Sequence, residues 1–320
     1  MKEAPIKIAE REKLVSLRGF KELVLRLSLG LILGGLVIIA SFLSPAFLNT
    51  KNVLNILSQS SILGCLAIGQ TLVILSAGID LSVGSTLALS SMICALLADY
   101  NIVLVFLIAL GVGSGFGAVS GVFVQKLRIP PFIATLGMMS VIRGIALVLT
   151  WGAPIETRRY VFIAEKNIGV VPLLGIIWIS IGLVMHFVLI QTRVGHHLFT
   201  IYDEEKSSTS GVDVTKLKIG VYALSGFFAS LGGILYISRL FHGYSMAGIG
   251  KELDSIAAVL IGGTSLFGGK GSMIGTIIGV IVLGILENLM NLLNVSMYLQ
   301  STVRGLVVLL VVYLNIQKTT

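Results

Sequence analysis

The chain has 320 residues, 55% of them hydrophobic and only 12% charged, with a formal net charge of +8 and a mean hydropathy of +0.99. Water-soluble domains carry about 25% charged residues, so this composition excludes a soluble enzyme and requires a bilayer as solvent. On such a chain, clustered Lys and Arg report which loops face the cytoplasm in preference to a nucleic-acid surface.

The first 26 residues hold seven Lys/Arg and four Glu, and the apolar run Leu23 to Phe42 follows. That run is about 20 residues long, enough to cross the roughly 30 Å of hydrocarbon at 1.5 Å per residue, and too long for the apolar region of a cleaved signal. Residues 1–22 are therefore expected as a cytoplasmic tail and 23–316 as one all-α membrane domain. Apolar segments predict about ten spans, near 23–43, 55–77, 84–98, 102–124, 132–150, 172–190, 219–238, 254–267, 272–290 and 298–316. The third and eighth are short, which a bilayer tolerates where the chain is shielded by protein or lines a wet cavity. Cys65 and Cys94 lie in apolar stretches without a pairing signature and read as buried, inert thiols.

Lys/Arg bias orients the spans. The basic tail, Lys126 with Arg128, and the segment 191–218 with Arg193, Lys206, Lys216 and Lys218 are expected inside, leaving both termini cytoplasmic. The segment 151–172 falls outside although it carries Arg158, Arg159 and Lys166, accompanied by Glu156 and Glu165.

An internal repeat runs through the chain. Gly113, Gly117 and Gly121 recur as Gly271, Gly275 and Gly279 at an offset of 158 residues, and Ser140-Val-Ile-Arg143-Gly144 recurs as Ser301-Thr-Val-Arg304-Gly305 at 161. Asp80 and Asp254, each leading into a short apolar stretch, form a looser match. Corresponding spans stand five apart, an odd number. The halves, about 23–150 and 172–316, are therefore expected to have inverted topology, with a substrate path at the repeat interface.

Glycines four apart share a helical face and let backbones approach closely in lipid, so both rows read first as packing surfaces. Arg143 and Arg304 each sit within an apolar span, where an Arg costs about 2.5–3.5 kcal/mol on insertion scales and must face protein or water. They read either as structural ties to carbonyls or carboxylates, with Asp80 and Asp254 as candidate counter-charges, or as pathway residues. The polar interruption Gly78-Ile-Asp80-Leu-Ser82-Val-Gly84-Ser85 is either a capped turn or a broken helix exposing backbone to a solute. Lys251-Glu252-Leu-Asp254 is its counterpart. The glycine-rich stretch 262–272 does not fit a phosphate-binding frame, because Lys270 is followed by Gly271. The four histidines form no metal frame, and adjacent His196 and His197 point to different sides of an element. No catalytic constellation, metal or cofactor is expected.

Gly69-Gln70-Thr71 through Gly78-Ile79-Asp80-Leu81-Ser82-Val83-Gly84-Ser85 resembles the signature of ribose-type permeases of ATP-binding-cassette (ABC) importers. Pro131 to Gly137 with Arg143-Gly144, Glu252-Leu253-Asp254 with Gly262-Gly263-Thr264-Ser265, and Val303-Arg304-Gly305 extend the likeness over about residues 40–315. The resemblance implies a homodimer in the bacterial inner membrane, an ABC-type ATPase subunit, and a periplasmic or lipid-anchored sugar-binding protein. It also implies a coupling helix in the 191–218 loop, carried by Thr192, Gly195, Glu204, Glu205, Ser210, Gly211 and Val212. There the chain has His196 where the family has Arg, and Lys206-Ser207-Ser208 in place of an Ala-Ala pair. The solute is expected to be a monosaccharide, ribose or similar, with nucleosides or other small solutes as the alternative. A secondary transporter would need deep paired carboxylates, and Glu287 is the clear mid-span candidate. The broken, polar-interrupted repeats argue against a mere membrane scaffold.

Overall fold

A computed structural model describes residues 29–201 and 213–317. The expected tail 1–22 and the loop residues Glu204, Glu205, Ser210 and Gly211 lie outside them. The described chain is helical, in order α1 (Leu29–Leu43), α2 (Thr50–Leu75), α3 (Val83–Leu96), α4 (Ile102–Gln125), α5 (Pro131–Val148), α6 (Val161–Glu165), α7 (Leu173–Gln191), α8 (Arg193–Leu198), α9 (Val214–Leu240), α10 (Lys251–Ile261), α11 (Met273–Leu292) and α12 (Met297–Gln317). Each segment expected to span carries a helix, and seven of them (α2, α4, α5, α7, α9, α11 and α12) are long and apolar enough to cross a membrane. Helices α1, α3 and α10 are shorter. Two-residue strands, which the sequence reading did not anticipate, pair β1 (Ile155–Glu156) with β4 (His242–Gly243) and β2 (Asn167–Ile168) with β3 (Val171–Pro172), both antiparallel.

Burial follows the logic of a lipid solvent. The most apolar helices, α4 and α7, are mostly uncovered, whereas α2, richer in Ser, Thr, Asn and Gln, is buried along most of its length. Lipid is as apolar as Leu, so interior contacts come from close packing and interhelical hydrogen bonds. Helix α9 forms the hub, packed on α2, α3 and α4. Its contact with α4 runs along Gly113, Gly117 and Gly121. A Cβ at these positions would overlap Gly226 and Ser230, Tyr222, and Ile219 respectively. In the second row Gly275 meets Gly262, the C-cap of α10, and Gly279 meets Ala258 within that helix in the same way. Gly271 departs from the expected row. It stands before the Ser272 N-cap of α11 and abuts the Thr264 side chain, so it is a loop residue. Ser272 stops the row because its hydroxyl accepts from the Gly275 N–H and fixes the helix start there.

Polar side chains stitch the interior. Thr71 and Thr276 hydroxyls share a 2.8 Å hydrogen bond, Asn52 and Asn288 amides pair reciprocally, Ser90 donates to Ser230 O, and the Trp178 indole donates to Leu57 O. Bonds of this kind contribute about 0.6 kcal/mol each in a membrane bundle. Gly64 leaves room for the Trp178 ring. Cys65 and Cys94 are buried, free thiols. Beside Cys94, the Tyr160 hydroxyl donates to its carbonyl and anchors the 151–172 segment to the end of α3.

Candidate functional site

Helix α2 stops at Leu75 because the chain turns left-handed at Ala77, φ 59°, while the Gly78 N–H returns to Val73 O. Gly78 lies against the Tyr222 hydroxyl, where a side chain would collide. Two residues on, the fully buried Asp80 carboxylate accepts from the Ser82 N–H and hydroxyl and from the Ser225 hydroxyl, at 2.9, 2.6 and 2.7 Å. These three donors replace a counter-cation. Helix α3 then starts with its N-terminus deep in the bundle.

The second interruption is built differently. Helix α9 ends at Phe241, φ 62°, and the chain returns through β4 and a turn containing Gly248 and Gly250, φ 72° and 83°, into α10. Glu252 folds back so that its Oε1 accepts the Gly250 N–H, at 3.0 Å, capping the helix with its own carboxylate. A negative group there also suits the positive end of the helix dipole. The starts of α3 and α10 touch. A Cβ at Gly84 would overlap both the Glu252 carboxylate and the Gly248 carbonyl, and one at Gly248 would overlap Gly84 O.

Arg143 reaches this meeting point from α5. Its Nη1 donates to Ser245 O and Ala247 O, at 2.5 and 2.7 Å, and the guanidinium interacts electrostatically with Glu252. Asp80 is not its partner: this expected counter-charge instead takes its donors from Ser82 and Ser225. The Ser245 hydroxyl and Glu252 Oε2 are buried there without a hydrogen-bond partner. The turn itself is open on its other side, with Met246, Ile249 and Leu253 exposed.

One turn into α10 the second Arg does meet its Asp. Arg304 Nη1 lies 3.6 Å from Asp254 Oδ2, and Lys251 Nζ lies 3.3 Å from both Asp254 Oδ2 and Glu287 Oε2. The result is a neutral group of two cations and two carboxylates joining α10, α11 and α12. Glu287 therefore stands ion-paired, whereas a coupling carboxylate of a secondary transporter would have to be free to exchange its proton. Lys251 and Ser245 were missed as site residues. The i, i+3 spacing of Lys251 and Asp254 was visible, but nothing in the sequence places Ser245 beside Arg143. Gly195 lies at the start of α8, where a Cβ would overlap Leu189, and the Thr192 hydroxyl caps its N–H. Among the described residues no His/Cys/Asp/Glu group is arranged to hold a metal.

Two broken helices meeting inside a bundle of membrane-length helices, with charged groups at their junction, define a membrane transport protein. The chain belongs to the permease family described as "Branched-chain amino acid transport system / permease component", which matches residues 52–312. It is similar to the ribose import permease protein RbsC of Escherichia coli K12, 43% identical over 296 residues covering 88% of this chain and 91% of that one. It is also similar to two further Escherichia coli K12 proteins. The D-allose transport system permease protein AlsC is 36% identical over 89% of each chain. The inner membrane ABC transporter permease protein YjfF is 35% identical over 85% of each. No solved structure matches the chain.

Proposed function

We propose that this permease carries a monosaccharide, ribose or a close relative, across the bacterial inner membrane as the passive subunit of an ABC importer. A separate ATPase subunit supplies the energy and a sugar-binding protein delivers the solute. The observation that carries this reading is the junction of α3 and α10. There the Arg143 and Glu252 side chains, the Ser245 hydroxyl and the ends of two helices bring donors and acceptors together in a low-dielectric interior, the equipment that a polyhydroxylated neutral solute needs. Similarity to permeases named for ribose and for allose supports a sugar. Asp80, Ser82 and Arg143 then belong to the pathway, and Asp254 with Arg304 to the switch that moves it.

The architecture proposed is about ten spans in two inverted halves, with both termini cytoplasmic. Two arrangements support the inversion. Helices α3 and α10 start together and lead apart, α3 to Tyr160 and α10 to a turn whose Gly269 N–H bonds the last residue of α2, Leu75. The residues flanking Lys126, Arg128 and Lys216 also pack in one cluster, with Phe123, Val124, Ile129, Leu198 and Leu217, while Ile155 and Tyr160 of the 151–172 segment pack in another. The functional unit is read as a homodimer, since α12 is almost wholly uncovered although it is less apolar than α4 or α7. Gly195, Glu204, Glu205, Ser210 and Gly211 form the contact through which the ATPase shifts the dimer between inward- and outward-open states, each stabilised by its own contacts.

Uptake of radiolabelled ribose into proteoliposomes holding this chain, its ATPase and its binding protein tests the proposal. Uptake should require ATP on the ATPase side. Uptake driven by a proton gradient without the ATPase would sink the ABC reading. Competition by nucleosides but not by pentoses or hexoses would move the solute to the alternative class.

A further inference from the structure

Away from the α3–α10 junction, an apolar slot of about 400 Å³ runs along one side of α9 between α4 and α7. Its floor is Gly220, Ala223 and Leu224, and its walls include Ser114 from α4 and Met185 and Leu189 from α7. Ser114 has its hydroxyl proton engaged, donating it to Leu110 O. Among the described residues the one charged group lining the slot is Lys216, in the first turn of α9, while the deep end lies at Phe227, half-way along the helix. From Lys216 to Phe227 is eleven residues, about 16 Å at 1.5 Å per residue, so the slot is long, narrow and apolar with a cation at its mouth. Arg193, exposed at the start of α8 beside the lining residue Val194, adds positive charge near that mouth, while Lys216 itself is paired with Asp213 at 3.2 Å. The floor is low because Gly220 lacks a side chain. A Cβ built there meets nothing within 4 Å.

We propose that the slot binds one acyl chain of an anionic phospholipid, with the lipid phosphate held at Lys216. The length suits a single extended hydrocarbon chain, the lining is apolar apart from Ser114 and Lys216, and the basic mouth stands at the end of a helix long and apolar enough to cross a membrane. An excess of positive charge beside a membrane surface attracts anionic lipid by about 1 kcal/mol for each basic residue. The binding is independent of which solute is carried and of how the protein is energised.

Native mass spectrometry of the purified full chain, reloaded with phosphatidylglycerol or with phosphatidylcholine of the same chain length, tests the site. The parent chain should retain one phosphatidylglycerol molecule, preferred about fivefold over phosphatidylcholine, the preference expected from one basic residue. Lys216→Ala should abolish that preference and leave weak binding of both lipids. Gly220→Leu fills open space and removes a helix-interior glycine, so the fold should hold while retention of both lipids falls, and Ala223→Leu provides a second filling variant. No retained lipid on the parent chain overturns the proposal. So does full retention by both filling variants, or an unchanged headgroup preference in Lys216→Ala.

Discussion

Arg143 and Arg304 occupy matching places in the repeated sequence yet end in different company, one on two backbone carbonyls and one on a carboxylate. Their replacement should therefore fail differently. Arg143→Leu strands two buried carbonyl acceptors, a loss of about 1–3 kcal/mol each in an interior site, and removes the cation beside Glu252. It should reduce uptake by more than tenfold while the chain still inserts. Arg304→Leu leaves Asp254 with Lys251 alone. Breaking a fully buried pair costs about 3–5 kcal/mol, and the partial exposure of this one lowers that figure, so the reading is thermal stability in detergent. A double-mutant cycle of Arg304→Leu with Asp254→Asn should show coupling between the two positions. Additive losses would mean that the 3.6 Å approach carries no energy. Glu252→Gln preserves shape and removes the charge that both caps α10 and faces Arg143. A charge-assisted hydrogen bond is worth about 1.5–3 kcal/mol, so initial uptake should fall by about tenfold or more, and wild-type uptake would remove Glu252 from the pathway.

At the scale of helices, the glycines separate into those that carry contacts and those that face open space. Gly117→Leu drives a side chain into the Tyr222 backbone of α9. Overpacking of this kind typically costs about 1–3 kcal/mol, and more when the obstacle is backbone. Gly115, two residues away on the same helix, meets nothing within 4 Å, so Gly115→Leu should leave expression and thermal stability near wild type. Equal destabilisation by both substitutions would show that the two helices do not meet along this row. The helices themselves were legible because hydrophobic runs of membrane length have few alternatives. The short third and eighth segments were legible as interruptions because Asp80, Ser82 and Asp254 stand inside apolar sequence. What could not be read was the choice of partner. Asp80 satisfies its charge with Ser225, 145 residues away, and sequence cannot distinguish a hydroxyl donor from a guanidinium at that range. The strand pairing of 155–156 with 242–243 was hidden for a simpler reason: two-residue strands leave no periodicity to detect.

For the whole molecule, the proposed topology makes a labelling pattern. In a background with Cys65 and Cys94 replaced, a membrane-impermeant thiol reagent should reach a Cys at Arg158 from outside intact cells, whereas Cys at Lys126 or Lys216 should react only after permeabilisation. Reversal at any of the three would break the odd crossing count on which the inverted halves rest. Coupling to the ATPase makes a second pattern. Glu204→Lys with Glu205→Lys lies outside the expected spans, so insertion and dimerisation should persist. Co-purification of the ATPase, or sugar-stimulated ATP hydrolysis in liposomes, should be lost. Charge pairs desolvated at an interface are worth about 2–5 kcal/mol when one partner is removed.

Helix α12 grips α10 at two places. Arg304 holds Asp254 in the first turn of α10, while the Asn315 side chain accepts from Leu266 N–H and donates to Thr264 O just beyond the last turn. A rod pinned at both ends to its neighbour cannot tilt by itself. Any rotation of α10 about the glycines on its other flank must carry α12 with it, so the least covered of the described helices serves as an external handle on the α3–α10 junction. Pressure against α12, whether from lipid or from a second copy, would then register at Glu252 and Arg143 without any solute having entered.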